Sequence, residues 1–135
     1  MAASILADTG FLVALVSVRD AHHRWTQTVA DRYPPPWHSC DAVLSEVFFL
    51  VGARGIASVA ELIRRSAIRS SFRFAEDAGA VLDLMQKYKD VPMAFADACL
   101  VRMSERQPDS LVLTTDNDFR IYRRQNRRTV PCLLP

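Results

Sequence analysis

The chain has 135 residues, of which half are hydrophobic and 24% are charged, and its formal net charge is +2. This length suits a single core, so we expect one domain over residues 1–135. The composition excludes a disordered chain, which would have low hydrophobicity or an extreme net charge. A net charge of +2 neither requires nor excludes a nucleic-acid partner.

Cysteine usage and the N-terminal stretch bear on the cellular compartment. Cys40, Cys99 and Cys132 form no Cys-x-x-Cys pair and match no histidine spacing for zinc, which is typical of reduced thiols in the cytosol. The apolar stretch 2–18 has no basic start and is interrupted by Asp8, unlike a signal peptide. No run reaches the roughly 18 apolar residues of a membrane span. We therefore expect a cytoplasmic protein with no membrane partner.

Short apolar runs alternate with longer periodic stretches along the chain. The alternation predicts an α/β protein whose central, mainly parallel sheet of four to five short strands has helices on both faces. The predicted elements are a strand at 5–6, a helix at 9–16 capped by Asp8 or Thr9, a helix at 21–30, a strand at 37–40, a helix at 42–53 capped by Asp41 and ended by Gly52 and Gly55, a helix at 58–68, a strand at 71–74, helices at 76–87 and 94–105, a strand at 111–114, a short helix at 119–123 and a strand at 130–133.

Four acidic residues each end an apolar run or lie inside one, and these are Asp8, Glu46, Asp97 and Asp116. Residues three and four positions apart are neighbours on a helix surface. For both Glu46 and Asp97 those neighbours are apolar, namely Ala42, Val43, Phe49 and Leu50 for the first and Met93, Ala94, Leu100 and Val101 for the second. Because burying an unpaired charge costs several kcal/mol or more, this pattern favours a functional role.

Each of these acids also has a purely structural interpretation. Glu46 is explained by a charge at the edge of a core stripe, and Asp97 by a helix cap, although position 100 lacks the Glu or Gln of a capping box. Asp8 and Asp116 are explained by caps on helices that follow strands. The joint pattern favours a shared site, because the carboxyl ends of parallel strands meet at the ligand-binding edge of such sheets.

An all-oxygen ligand set without His or Cys suits Mg²⁺ or Mn²⁺ better than zinc. Clustered carboxylates raise one another's pKa, so they need a cation to stay ionised. Hydrolysis of a phosphodiester is the natural reaction of such a centre. Thr9 and Thr114 offer hydroxyls that orient the carboxylates, and Asp118 is interpreted as an accessory acid, either a further ligand or a helix cap.

Four short motifs match a known family in their order and spacing, and they cover almost the whole chain. They are Ala-Asp-Thr-Gly at 7–10, Leu-Ser-Glu-Val at 44–47, Pro-Met-Ala-Phe-Ala-Asp-Ala at 92–98 and Leu-Thr-Thr-Asp-Asn-Asp-Phe at 113–119. With these motifs the chain resembles PIN-domain ribonucleases, and most closely the VapC-type toxins of bacterial toxin-antitoxin pairs.

The resemblance implies a Rossmann-like sheet and an Mg²⁺ or Mn²⁺ site formed by Asp8, Glu46, Asp97 and Asp116. It also implies cleavage of single-stranded or structured RNA, and a homodimer inhibited by a cognate antitoxin protein. Members of the family often carry a further acid a few positions before the third one. Residues 92–96 contain none, so the chain departs from the family pattern there, and a one-metal site is consistent with the departure.

The stretch 119–128 contains five arginines, two aromatic rings and no acid. Arginines near an acidic cleft grip phosphates, so we predict that Arg120, Arg123 and Arg124 contact RNA and that Tyr122 stacks on a base. The alternative is a solvated basic face. A second, more diffuse basic set consists of Arg64, Arg65, Arg69 and Arg73.

Three other functions share features with this sequence. The tripeptide Asp-Thr-Gly at 8–10 also marks aspartic proteases, but those are nearly all β, whereas this chain has long helical stripes. A non-catalytic PIN-like module that binds RNA or a protein would keep the fold and lose the chemistry. A housekeeping RNA-processing nuclease would keep both and have no antitoxin.

Overall fold

A wholly parallel five-stranded sheet forms the centre of the computed structural model, which describes residues 4–125 and 127–135. Its strands are β1 (Ser4–Ala7), β2 (Trp37–Ser39), β3 (Ile68–Ser70), β4 (Ser110–Leu113) and β7 (Cys132–Leu133), while β5 (Arg123–Arg124) and β6 (Arg128–Thr129) form a separate antiparallel hairpin. The strand order in the sheet is β3-β2-β1-β4-β7. The predicted α/β class and parallel sheet are confirmed.

Six α-helices of the described residues flank this sheet. They are α1 (Thr9–Val16), α2 (His23–Arg32), α3 (Asp41–Leu50), α4 (Gly52–Arg64), α5 (Phe74–Lys87) and α6 (Phe95–Arg106), and a 3₁₀ helix follows at Asn117–Arg120. Helix α1 packs on α2, α3 and α4, while α6 packs on α3 and α5. None of the described helices has the length and apolarity needed to cross a bilayer.

Strands β1 and β4 lie at the middle of the sheet, and their register positions the candidate site. Leu6 pairs with Val112 and Ala7 pairs with Leu113, and all four side chains are fully buried. Such continuous apolar runs are typical of parallel strands that are covered on both faces. Because Ala7 and Leu113 end their strands side by side, the polar residues that follow them emerge at the same edge.

Several predicted element boundaries were wrong. The chain turns at Gly52, whose φ of +69° is a left-handed conformation that suits glycine, and α4 begins there instead of at residue 58. Gly55 lies inside α4, where a Cβ atom would come within 2.3 Å of Val51 Cβ, so it allows close packing and does not end a helix. Strand β3 occupies 68–70, where the sequence predicted the end of a helix.

The predicted cap at Asp41 was also wrong, and the alternative of a cap at Asp97 is excluded. Cys40 is the N-cap of α3, and Asp41 is its first helical residue, with a carboxylate that accepts a hydrogen bond from the Ser70 hydroxyl. Ala94 is the N-cap of α6, so Asp97 is the third helical residue. The structural interpretation of Asp97 as a cap is therefore excluded.

Candidate metal centre

Asp8 connects β1 to α1 and lies at the centre of the acidic site. It is the N-cap of α1, one of the two caps that the sequence predicted, and its Oδ1 accepts a hydrogen bond of 2.7 Å from the Thr9 backbone N–H. Its Oδ2 accepts a hydrogen bond of 2.6 Å from the Thr114 hydroxyl. Asp8 is only 4% exposed, so water hardly competes with either of these hydrogen bonds.

Asp116 follows β4 and is oriented by the loop around it. Its backbone N–H donates to Thr114 Oγ1 at 3.0 Å, and its own Oδ1 accepts from the Asp118 backbone N–H at 2.9 Å. Asp116 is thereby the N-cap of the 3₁₀ helix Asn117–Arg120. Asp118, predicted as an accessory acid, supports Asp116 through its backbone N–H.

Glu46 reaches the site from α3, where the Thr9 hydroxyl donates to its Oε1 at 2.6 Å. The expectation that its apolar neighbours bury it was wrong, because Glu46 is exposed. Its neighbours Phe49 and Leu50 are themselves 87% and 58% exposed, so they form an apolar surface beside the acid. Apolar spacing on a helix indicates a face and does not show whether that face is covered.

Asp97 lies in the first turn of α6 and is 8% exposed, so its predicted burial is confirmed. Its Oδ2 accepts a hydrogen bond of 2.8 Å from the Tyr122 hydroxyl. A negative charge is also favourable there, because the first turn of a helix presents unpaired backbone N–H groups and the positive end of the helix dipole.

The pKa values of Asp8 and Asp97 are both raised, in part by the other acids. Burial raises the pKa of Asp8 from 3.8 to about 6, with added repulsion from Asp116 and Glu46, although its hydrogen bonds lower it. Burial raises the pKa of Asp97 from 3.8 to about 7, with repulsion from Asp8, Asp116 and Glu46 and an opposing contribution from Tyr122. Asp116 and Glu46 thus contribute to the raised pKa of Asp8, and all three other acids contribute to that of Asp97.

The donor set fits a hard divalent cation, since it consists of carboxylate oxygens that repel one another. Within residues 4–125 and 127–135, no three Asp, Glu, His or Cys side chains are gathered tightly enough to form a finished metal site. Each of the four carboxylates accepts a hydrogen bond from a hydroxyl or a backbone donor. The residues fit Mg²⁺ or Mn²⁺ as ligands.

Part of the predicted RNA-contacting stretch is internal. Tyr122 is fully buried, so the prediction that it stacks on a base was wrong. Arg124 is 8% exposed, and its guanidinium donates to the carbonyls of Ser104 and Pro108, both at 2.9 Å, so the prediction that it grips phosphate was also wrong. No feature of the sequence indicated that Tyr122 and Arg124 would be buried while neighbouring arginines are exposed.

The other two predicted RNA contacts lie nearer the surface. Arg123 is half-buried, and its Nη1 donates to the carbonyls of Arg120, Ile121 and Tyr122, which holds the loop together. Arg120 is exposed, as are Arg127 and Arg128. The surface available to a phosphate backbone is thus smaller than the run of five arginines suggested.

Comparison with known proteins identifies the fold and the family. The structure is similar to that of VapC20 from Mycobacterium tuberculosis, described as a Sarcin-Ricin loop cleaving toxin, with a TM-score of 0.73 and 23% sequence identity. The likeness covers 85% of this chain and 92% of that one. No curated protein sequence matches the chain. Residues 5–125 match the sequence profile of the PIN domain, so the chain belongs to the PIN domain family.

Proposed function

We propose that this protein is a metal-dependent endoribonuclease that hydrolyses phosphodiester bonds, with Asp8, Glu46, Asp97 and Asp116 as the ligands of Mg²⁺ or Mn²⁺. The observation that carries the proposal is the convergence of Asp8, Glu46 and Asp116 where β1 and β4 end, since Thr114 bonds both Asp8 and Asp116 while Thr9 bonds both Asp8 and Glu46. Burial and repulsion from these three acids raise the pKa of Asp97, and a divalent cation would offset that repulsion.

The residues of the site have separable tasks in this proposal. Thr114 orients Asp8 and Asp116 together, while Thr9 links Asp8 to Glu46. These bonds hold the carboxylates in place before a cation binds. A bound Mg²⁺ or Mn²⁺ would polarise the scissile phosphate and acidify the attacking water. None of the described histidines is needed for this chemistry.

The proposed substrate is single-stranded or structured RNA. Arg120 lies on the 3₁₀ helix that Asp116 caps and is exposed, and Arg127 and Arg128 are exposed as well. These cations are available to phosphates on either side of the scissile one. VapC20, which shares the fold, is described as cleaving the Sarcin-Ricin loop, so a hairpin of that sequence is a suitable test substrate.

We propose further that the protein is a cytoplasmic toxin of a toxin-antitoxin pair and acts as a homodimer. Support comes from the resemblance to VapC-type proteins and from large apolar side chains left exposed on one chain. Val18 is 79% exposed and Phe49 87% exposed, fractions that suit surfaces covered by a partner protein. Phe49 and Leu50 also line a shallow pocket with Ser45 and Glu46.

Cleavage of RNA by the purified protein tests the enzymatic proposal. Wild-type protein with Mn²⁺ should cut both a single-stranded RNA and the hairpin, whereas a chelator or Asp8→Asn should abolish cleavage. Asp83→Asn, at an exposed acid of α5, is the matched control and should cleave like the wild type. Cleavage that survives both the chelator and Asp8→Asn would refute the proposal.

Analytical ultracentrifugation tests the proposed homodimer. If the surface around Phe49 is covered by a second copy, Phe49→Asp should shift the protein to a monomer. Leu82→Asp, at a side chain 51% exposed on α5, should leave the dimer intact. A wild-type protein that is monomeric at every concentration measured would contradict the homodimer without touching the nuclease proposal.

A further inference from the structure

We propose that Tyr122 is a positioning residue for Asp97, holding this carboxylate in the orientation that a divalent cation needs. The inference rests on the metal centre proposed above. Its starting point is the bond of 2.8 Å in which the Tyr122 hydroxyl donates to Asp97 Oδ2. The partners lie 25 positions apart in sequence, and both are buried.

The ring of Tyr122 is fixed on two sides by other aromatic rings. Tyr88 and Phe119 each meet it edge-on, and both ring centroids lie 5.3 Å from that of Tyr122. Phe119 and Tyr122 have no exposed surface at all. Such packing leaves the Tyr122 ring little freedom, so its hydroxyl is a rigid donor.

The segment that carries Tyr122 is also fastened to the far end of the helix that carries Asp97. Arg124 binds the carbonyls of Ser104 and Pro108, and the Gln125 backbone N–H donates to Glu105 Oε2 at 2.6 Å. Residues 122–125 thus contact α6 in its first turn and again at its last. We call residues 122–125 the α6 clasp. The clasp fixes where Asp97 lies relative to the sheet edge.

The hydroxyl of Tyr122 orients the Asp97 carboxylate, which the ring alone cannot do. A short Asp side chain can rotate, and the hydrogen bond on Oδ2 selects one orientation. Among the hydrogen bonds of the described residues, none engages Asp97 Oδ1, so that oxygen is left for a cation. Donors that orient a metal ligand typically change metal affinity by roughly 10–100-fold when removed.

Tyr122→Phe removes only this hydroxyl, and Tyr33→Phe is its matched control. Tyr33 is the C-cap residue of α2 and is half-buried against the core, and it belongs neither to the α6 clasp nor to the rings that pack on Tyr122. Mn²⁺ affinity, measured from the electron paramagnetic resonance signal of free Mn²⁺, should fall roughly tenfold or more in Tyr122→Phe. In Tyr33→Phe it should stay within about twofold of the wild type, because no metal ligand loses a donor.

A double-mutant cycle with Asp97→Asn distinguishes positioning from general packing. If Tyr122 acts through Asp97, adding Tyr122→Phe to Asp97→Asn should weaken Mn²⁺ binding no further. An unchanged or tighter affinity in Tyr122→Phe, equal losses in Tyr122→Phe and Tyr33→Phe, or additive losses in the double variant would each overturn the inference. An Asp97→Asn variant that binds Mn²⁺ like the wild type would instead refute the metal centre itself.

A crystal structure of the wild-type protein soaked in Mn²⁺ tests the inference even if Tyr122→Phe fails to fold. The expected result is a Mn²⁺ ion bound to Asp97 Oδ1 while the bond from Tyr122 to Oδ2 persists. A Mn²⁺ ion bound to Oδ2, with the Tyr122 hydroxyl displaced, would overturn the inference.

Discussion

The hydroxyl of Thr114 donates to Oδ2 of Asp8 at 2.6 Å, across 106 positions of sequence. The two residues meet because β1 and β4 are neighbours in register, with Ala7 opposite Leu113. The same hydroxyl accepts the Asp116 backbone N–H at 3.0 Å. One fully buried side chain therefore orients two of the four acids, and this relation can be tested directly.

Thr114→Val keeps the shape of the side chain and removes its hydroxyl. The Asp8 carboxylate then loses a donor and the Asp116 N–H loses an acceptor, so we expect the free energy of unfolding to fall by about 1.5–3 kcal/mol. Mn²⁺ affinity should fall as well, because Asp8 is no longer held in place. Thr114→Ser retains the hydroxyl and should keep most of the affinity. Urea unfolding and Mn²⁺ titration measure the two effects. Equal losses of stability and of Mn²⁺ affinity in Thr114→Val and Thr114→Ser would contradict this role of the Thr114 hydroxyl.

The metal-free protein should become less stable as the pH rises from about 4 to about 7. Asp8 and Asp97 have pKa values of about 6 and about 7 in the folded protein, against an ordinary value of 3.8. An acid whose pKa is raised on folding binds its proton more tightly in the folded state, so stability falls as pH increases between the two values. Together the two groups should account for a loss on the order of a few kcal/mol.

Thermal unfolding across this pH range, with a chelator or with saturating Mn²⁺, measures the effect. Mn²⁺ favours the ionised carboxylates, so it should remove or reverse the fall. In Asp97→Asn, the remaining fall should end near pH 6, the pKa of Asp8. A melting temperature that rises steadily from pH 4 to pH 7 in the chelated wild type would show that other groups dominate.

The ends of the two central strands are the part of the site that sequence predicts best. An apolar run that stops at a carboxylate gives both the strand and the position of its polar end, which is why Asp8 and Asp116 were placed correctly. Thr9 and Thr114, adjacent to those strands, were predicted to orient carboxylates, and each makes such a hydrogen bond. The local sequence was sufficient to place these residues, because neighbouring parallel strands end at the same edge of the sheet.

The exposure of side chains and the contacts between residues far apart in sequence were harder to predict. The apolar neighbours of Glu46 predicted burial, yet Phe49 projects into solvent, because a helical pattern shows a face without showing what covers it. Tyr122 and Arg124 sit in a basic run that resembles a surface, but their partners are a carboxylate and carbonyls of α6. Those partners lie 25 and 20 positions away, beyond the reach of a pattern in the local sequence.

Arg124 and Arg120 should respond to substitution in opposite ways. Arg124→Lys loses the two-pronged contact with the Ser104 and Pro108 carbonyls, so stability should fall by about 1–3 kcal/mol. Arg120→Ala removes an exposed cation, so stability should change by less than about 0.5 kcal/mol. RNA affinity should fall in Arg120→Ala, with a salt slope smaller by about 0.7. Weaker RNA binding by Arg124→Lys without a loss of stability would contradict the structural role of Arg124.

Gly10, in the first turn of α1, permits the close approach of the Asp116 loop. A Cβ atom at this position would lie 2.0 Å from Thr115 Oγ1 and 3.3 Å from Thr115 Cβ, so Gly10→Ala must push Thr115 away. Despite the better helix propensity of alanine, we expect a loss of about 1–3 kcal/mol in stability and weaker Mn²⁺ binding. Gly79→Ala, where nothing lies within 4 Å, is the matched control. It should stabilise α5 by about 0.5–1 kcal/mol and leave Mn²⁺ binding unchanged. Equal stabilisation by the two substitutions would show that the Asp116 loop does not depend on this contact.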